Sequence, residues 1–423
     1  MIQVQRDKVS EELLGEICPF RGNEDFYIDG ILPKIILEPY NSQQVAGALA
    51  LASRYHKPIA LIGGGTKFHY GPPLEKSEWL LSTKYLLEEP IINTDDLTVV
   101  VKGGMTLADL NERLAKKGLF LPFDWELSKA TVGGALAYGS GGSHRLTYGL
   151  VKDSVLGITV ALTDGKVYRL GGKTVKNVAG YDMAKLFIGS KGTIGVITEA
   201  CLRVYAFPPS SKVLLFTVKN KERLSQITKF LTELQPAVYE LYDLALANKL
   251  FSLDIPEGED YLALVKYSGP TPTVENSCLQ TLEYLQKHRL AFVKGFNKED
   301  EKSLWQKRIR FFEDNSIRLR VMFPAANLQK YIELLDGLAG KYRTKINSLY
   351  MPALGIANSI IELENTQLLN HFQTITGNIN GTLVIESGPV PLRKSFQHNS
   401  GVLDGQIKKF FDPHLVLNYG KKA

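Results

Sequence analysis

The chain has 423 residues, of which 44% are hydrophobic and 22% charged, and its formal net charge is +6. That balance excludes an intrinsically disordered chain, and the charge is too mild to argue for a nucleic-acid partner. At roughly 100–200 residues per domain, the length fits two to four domains. The three cysteines, Cys18, Cys201 and Cys278, lie far apart with no Cys-x-x-Cys pair, which argues against a disulfide framework, an iron–sulfur cluster held by this chain, or structural zinc. Their pattern fits reducing cytoplasm. The seven histidines show no metal-ligand spacing, so no metal site is expected. The amino-terminal twenty residues carry charges where a signal peptide needs an apolar stretch. The apolar run Val45–Ala52 stops after eight residues, too short for a membrane-spanning helix.

In chain order, residues 1–30 read as a short polar helix and an extended lead-in. Ile35-Ile36-Leu37 is a short apolar run, and Asn41-Ser42 can cap a helix reaching about Tyr55. Pro58–Ile62 reads as a buried strand that runs straight into Gly63-Gly64-Gly65. Leu97–Val101 reads as a further strand. Gly103-Gly104 marks a turn, and Thr106 caps a helix ending near Lys117-Gly118. Residues 131–150 hold six glycines (133, 134, 139, 141, 142 and 149). Asp164-Gly165 between alternating apolar residues predicts a hairpin. A strand enters through Gly192–Thr198 and continues to Tyr205, and Pro208-Pro209-Ser210-Ser211 reads as a boundary. Beyond it, strand-like runs (214–218, 261–265, 318–323) alternate with amphipathic helices (221–234, 275–288, 327–341). That pattern suits an α+β domain with an antiparallel sheet. No internal repeat is evident. From Pro391 onward six Lys/Arg against two acids make a basic end, best read as a solvated tail.

Three glycine-rich segments invite a ligand. Gly63-Gly64-Gly65-Thr66-Lys67 follows a strand, and its backbone N–H groups can form a nest for an anion such as a diphosphate; a plain flexible turn is the other reading. Thr131-Val132-Gly133-Gly134, continuing through Gly139-Ser140-Gly141-Gly142 to Arg145, carries few side chains. It suits a backbone lying against a large ligand, or two backbones packed together. Gly192–Ile197 opens another strand. A Rossmann fingerprint fails, because Gly63–Phe68 ends in Phe and no acidic residue follows about 20 residues later. A P-loop fails at Gly172-Lys173-Thr174, where position 167 is Val.

The order and wording of these segments resemble the FAD-binding domain of the vanillyl-alcohol oxidase / p-cresol methylhydroxylase (PCMH-type) flavoproteins. Three further stretches, Gly171–Asp182, Lys185-Leu186 and Gly189–Gly195, are similar to the FAD-binding E subunits of bacterial glycolate oxidases (glycolate dehydrogenases). Phe411-Asp412-Pro413 with Leu417-Asn418-Tyr419-Gly420 resembles that group's closing FDP…LNPG, with Tyr419 in place of Pro. The resemblance implies an α+β fold: a two-subdomain PCMH-type FAD-binding domain over 31–208, an antiparallel-sheet cap over 212–390, and a carboxyl-terminal segment, 391–423, returning to the FAD domain.

It also implies roles. Gly63, Gly64, Gly65, Thr66 and Lys67 would wrap the pyrophosphate. Thr131, Gly133, Gly134, Gly139, Ser140, Gly141, Gly142 and Arg145 would line the other side, and Gly195, Val196 and Ile197 would meet the cofactor by backbone. Thr66 stands where histidyl-linked relatives carry His, and His69 is off register, so FAD is expected to be non-covalent. The catalytic base is unassigned. His144 either approaches the flavin or is a surface or backbone-bonded His, and Arg308 and Arg310 either bind a substrate carboxylate or form a solvated helix face.

The expected function is the FAD-binding subunit of a glycolate oxidase/dehydrogenase complex. It would oxidise a small 2-hydroxy acid, glycolate or D-lactate, and pass electrons to a second FAD-binding subunit and an iron–sulfur subunit. Its place would be cytoplasmic, peripheral to the inner membrane through those partners. A self-sufficient FAD-dependent hydroxy-acid or alcohol oxidoreductase, and a non-catalytic assembly subunit that has kept the fold, are the alternatives.

Overall fold

The structure is a computed structural model. It describes residues 12–123, 129–139, 141–172, 181–253, 255–313, 317–362, 366–396 and 401–421. Lys173–Gly180 of the resemblance motif and Ser140 lie outside the described residues. The chain divides into two compact units: residues 1–142, 149–207 and 397–423, and residues 143–148 with 208–396.

The first unit is built on two sheets. Strands β1 (Phe20–Gly22), β2 (Ile35–Leu37), β3 (Ile59–Ile62) and β4 (Trp79–Ser82) form one sheet in the order β1-β2-β4-β3. Pairs β2–β4 and β3–β4 are parallel, as a helical crossover between β2 and β3 requires. That crossover is the helix Ser42–Arg54, and Asn41 caps it by accepting a hydrogen bond from the backbone N–H of Gln44. Strands β5 (Ile91–Asn93), β6 (Thr98–Lys102), β8 (Val155–Ala161), β9 (Val167–Gly171) and β10 (Val196–Arg203) make an antiparallel sheet ordered β5-β6-β10-β8-β9. A small ribbon pairs β7 (Leu119–Phe120) with β11 (Tyr205–Ala206). Val45, Ala46, Ala48, Leu49 and Ala52 of the crossover helix share one core with Leu37, Ile59 and Leu81 of the first sheet and Ala161 and Val196 of the second. Removing one fully buried Leu from water is worth about 1.5–3 kcal/mol, so this helix fastens the two sheets to each other.

A second core lies under the antiparallel sheet. It is covered by the helix Leu107–Ala115, capped by Thr106, and by the helix Val132–Tyr138, capped by Thr131. The glycine segment, which carries few side chains, is therefore a helix, and its Val132, Ala135 and Leu136 are buried. Its Gly133 and Gly134 lower intrinsic helix propensity. Tertiary packing of the buried apolar residues overrides that preference.

The second unit carries an eight-stranded antiparallel sheet, ordered β15-β12-β14-β13-β17-β18-β16-β19. Its strands are β12 (Ser210–Val218), β13 (Val238–Asp243), β14 (Tyr261–Gly269), β15 (Phe292–Asn297), β16 (Ile317–Met322), β17 (Ile346–Met351), β18 (Ile356–Ile361) and β19 (Thr382–Ser387). Numbered within each half, β12–β15 run 4-1-3-2 and β16–β19 run 2-3-1-4, the same order reversed. The halves meet second strand to second strand, where Leu241 pairs with Tyr350 and Tyr242 with Leu349. This internal repeat is carried by strand order and not by residue identity, which hides it in the sequence. The helices Leu224–Glu233, Thr271–His288, Leu328–Tyr342 and Thr366–Gly377 bury their apolar stripes in the largest core. Leu244–Phe251 and Glu301–Glu313 pack in a separate core with Val213, Leu262 and Leu349.

Candidate FAD-binding site

The first unit contains a cleft whose walls are the three glycine-rich segments. Gly63, Gly64, Gly65, Thr66 and Lys67 line it, as do Thr131, Gly133 and Gly134, and Gly195, Val196 and Ile197. Gly139 is the left-handed cap of the helix Val132–Tyr138, at φ 74°. Gly139, Gly141 and Gly142 do not appear among the described lining residues, and Arg145 belongs to the short helix Arg145–Tyr148 of the second unit.

The glycines serve the walls as well as the space between them. A Cβ on Gly63 would strike the hydroxyl of Thr131, and one on Gly64 would overlap the carbonyl of Lys129. A Cβ on Gly133 would lie 2.8 Å from the carbonyl oxygen of Ile197 and 3.0 Å from that of Gly103. Backbone bonds run through the same contacts: Gly133 N–H donates to Gly103 O at 2.8 Å, and Gly103 N–H to Thr198 O at 2.8 Å. Close backbone packing, one of the two sequence readings, is what brings the three segments to one cleft.

The chemistry of the lining fits FAD. Lys67, Lys191 and Lys421 line the cleft, and no carboxylate appears among its described lining residues. Three ammonium groups, one of them 3.8 Å from the Asp29 carboxylate, suit a dianionic diphosphate. Lys67 lies over the rings of Tyr138 (4.2 Å) and Tyr70 (5.9 Å), which also line the cleft. Burial pushes the Lys191 ammonium below its usual range. Leu61, Ile62, Phe68, Leu107 and Phe123 add apolar wall, which suits a flat aromatic ring system. Thr66 lines the cleft, whereas His69 is exposed and does not.

Lys191, Asn418 and Lys421 were not among the sequence candidates. Asn418 is 357 positions from Leu61, whose N–H donates to its Oδ1 at 2.9 Å. Only the Leu417–Gly420 resemblance pointed at this end of the chain.

The remaining sequence candidates lie in the second unit. His144 is partly buried, with its Nδ1 3.2 Å from Ser143 Oγ and its ring 5.8 Å from that of Trp305. Burial, then the charges of Lys266 and Arg308, push its pKa down to about 3, so the ring is neutral. Arg308, contrary to the expectation of a solvated helix face, is buried. It is 1% exposed and forks onto Glu240, Nε donating at 3.0 and 2.8 Å and an NH2 group at 2.5 Å. The Tyr242 hydroxyl donates to the same carboxylate at 2.5 Å. The acids flanking 304–310 suggested solvation, whereas the partner came from a strand 68 residues away. Lys266 is held by Glu301 at 2.9 Å. Arg310 lies in the helix Glu301–Glu313, and its side chain is outside the description.

Residues 33–171 match the FAD binding domain family. The chain is 26% identical to the glycolate oxidase subunit GlcD of Bacillus subtilis strain 168, over 92% of this chain and 89% of that protein. It is 26% identical to a D-lactate dehydrogenase of Archaeoglobus fulgidus, over 92% of this chain and 90% of the relative. The solved structure of p-cresol methylhydroxylase with substrate bound superimposes with a TM-score of 0.71 at 15% identity, covering 97% of this chain and 92% of that one. Fold, cleft and relatives define the class: the chain is an FAD-dependent oxidoreductase built on a PCMH-type FAD-binding domain. Among the described residues no helix is long and apolar enough to cross a membrane.

Proposed function

We propose that this chain is the FAD-binding subunit of a glycolate oxidase/dehydrogenase complex. The observation that carries this reading is the lysine-lined cleft formed by the three glycine segments, in a chain related over nine-tenths of its length to a glycolate oxidase subunit. The substrate is a small 2-hydroxy acid, glycolate or D-lactate. Its carbon gives up a hydride and its hydroxyl a proton to yield the 2-oxo acid, with bound FAD supplying the two-electron acceptor. The sequence resemblance favours the E-type subunit, whereas the relative above is named as a D-type subunit. The partners are then a second FAD-binding subunit and an iron–sulfur subunit, and the place of work is the cytoplasmic face of the inner membrane. The part of the chain over 212–390 serves substrate or partner recognition. Thr66, which offers no nitrogen or sulfur nucleophile, supports non-covalent FAD.

The relationship to a D-lactate dehydrogenase supports a second reading, a self-sufficient hydroxy-acid dehydrogenase. Anaerobic titration of the flavin with glycolate and with D-lactate separates the two. Bleaching only when the partner subunits are present supports the subunit reading, and bleaching of the isolated chain supports the second. Flavin that neither acid bleaches, with partners present, overturns both.

A further inference from the structure

The carboxyl-terminal stretch is bonded into the walls of the cleft. Leu417 lies beside Ile59 in a parallel bridge, Ile59 N–H donates to Val416 O at 2.8 Å, and Asn418 N–H donates to Ile59 O at 2.9 Å. The Asn418 side chain spans two walls. It accepts from Leu61 N–H at 2.9 Å, on the strand leading into Gly63, and donates to Lys191 O at 2.8 Å, just before Gly192. Asp412, fully buried, accepts from Val416 N–H at 3.0 Å and Leu417 N–H at 2.9 Å, and so fixes the turn that delivers Asn418.

Three positions on, Lys421 reaches the cleft wall. Its side chain is 8% exposed and donates to Phe68 O at 2.9 Å and Tyr70 O at 3.2 Å, with the Asp29 carboxylate 3.8 Å away. An ammonium this buried is costly unless anions surround it. Lys421 also lines the cleft, together with Lys67 and Lys191.

We propose that Lys421 is a cation for the FAD diphosphate, joining Lys67 and Lys191, and that Asn418 is the residue that positions it by holding the first and third glycine segments at the right spacing. Lys421 is thus a cofactor-binding residue and Asn418 a positioning residue. The basic end of the chain is, in this part, a working wall of the site.

The test uses the full-length chain stripped of flavin and titrated with FAD. Lys421→Met raises the FAD dissociation constant at least tenfold, equivalent to about 1.4 kcal/mol. Because Lys421 also holds Phe68 O, Tyr70 O and Asp29, the apo melting temperature falls somewhat, but the loss of affinity exceeds what that fall accounts for, and Lys421→Arg restores most of the affinity. Asn418→Ala also weakens FAD at least tenfold, and Lys409→Met, an exposed change on the same segment, does not. The proposal is overturned if Lys421→Met binds FAD within twofold of the unaltered chain, or if its affinity falls only alongside an equal fall in apo melting temperature. Should Asn418→Ala fail to fold by circular dichroism, the Lys421 pair decides. Unaltered chain that binds no FAD would instead overturn the cofactor itself.

Discussion

Glu240 and Arg308 are each about 1% exposed and satisfy one another through a forked pair. Removing one partner leaves an uncompensated buried charge, which typically costs about 3–5 kcal/mol, whereas replacing both with apolar residues of similar volume is often close to neutral. Arg308→Met alone should therefore lower the urea midpoint of the second unit strongly, and Arg308→Met with Glu240→Leu should recover most of the loss. Equal losses in single and double variants would contradict this account of the pair. Nearby, His144 is held neutral, with a pKa near 3 against an ordinary 6.5. Between those values the unfolded chain binds the proton that the folded chain refuses, so stability is lost as pH falls through this range. His144→Asn should flatten that acid loss in melting experiments. Asp243 acts in the opposite sense. Burial raises its pKa to about 6 from 3.8, so its contribution is present at low pH and is lost as pH rises through 6. None of these pairings was legible in the sequence, because charge partners on a sheet are set by strand order.

At the scale of elements, much was legible. Asn41 and Thr106 announced their helices, since a short polar side chain before an apolar periodic run satisfies the first unpaired N–H groups. Asp164-Gly165 turns between β8 and β9 as the hairpin signal predicted. The helix after Thr131 was not anticipated, because it is held by tertiary contacts that local propensity does not report. The glycines there are not equivalent. A methyl on Gly133 meets two carbonyl oxygens of fixed backbone at 2.8 and 3.0 Å, whereas one on Gly134 meets only the Thr131 hydroxyl at 3.0 Å. Gly133→Ala should cost about 1–3 kcal/mol as overpacking and lower FAD occupancy, and Gly134→Ala should be much milder. The ratio of 450 to 280 nm absorbance in the purified variants, with their melting temperatures, reads both effects.

For the whole molecule, the family resemblance carried by the glycine segments implied the class of fold. The pairing of the two halves in the eight-stranded sheet, and the closing of the cleft by Asn418 and Lys421, emerged only in three dimensions, across separations of hundreds of residues. A ligand that binds only the folded chain stabilises it by mass action, by about 2.7 kcal/mol at a hundredfold excess over its dissociation constant. Added FAD should therefore raise the melting temperature of the apo chain in a concentration-dependent way. The most direct measurement of the central claim is the absorption spectrum of the purified chain soaked with FAD, taken before and after acid precipitation. Flavin bands on the protein, with the yellow colour released into the acid supernatant, are the predicted result. A chain that takes up no flavin, or whose colour stays in the pellet, would contradict non-covalent FAD in this cleft.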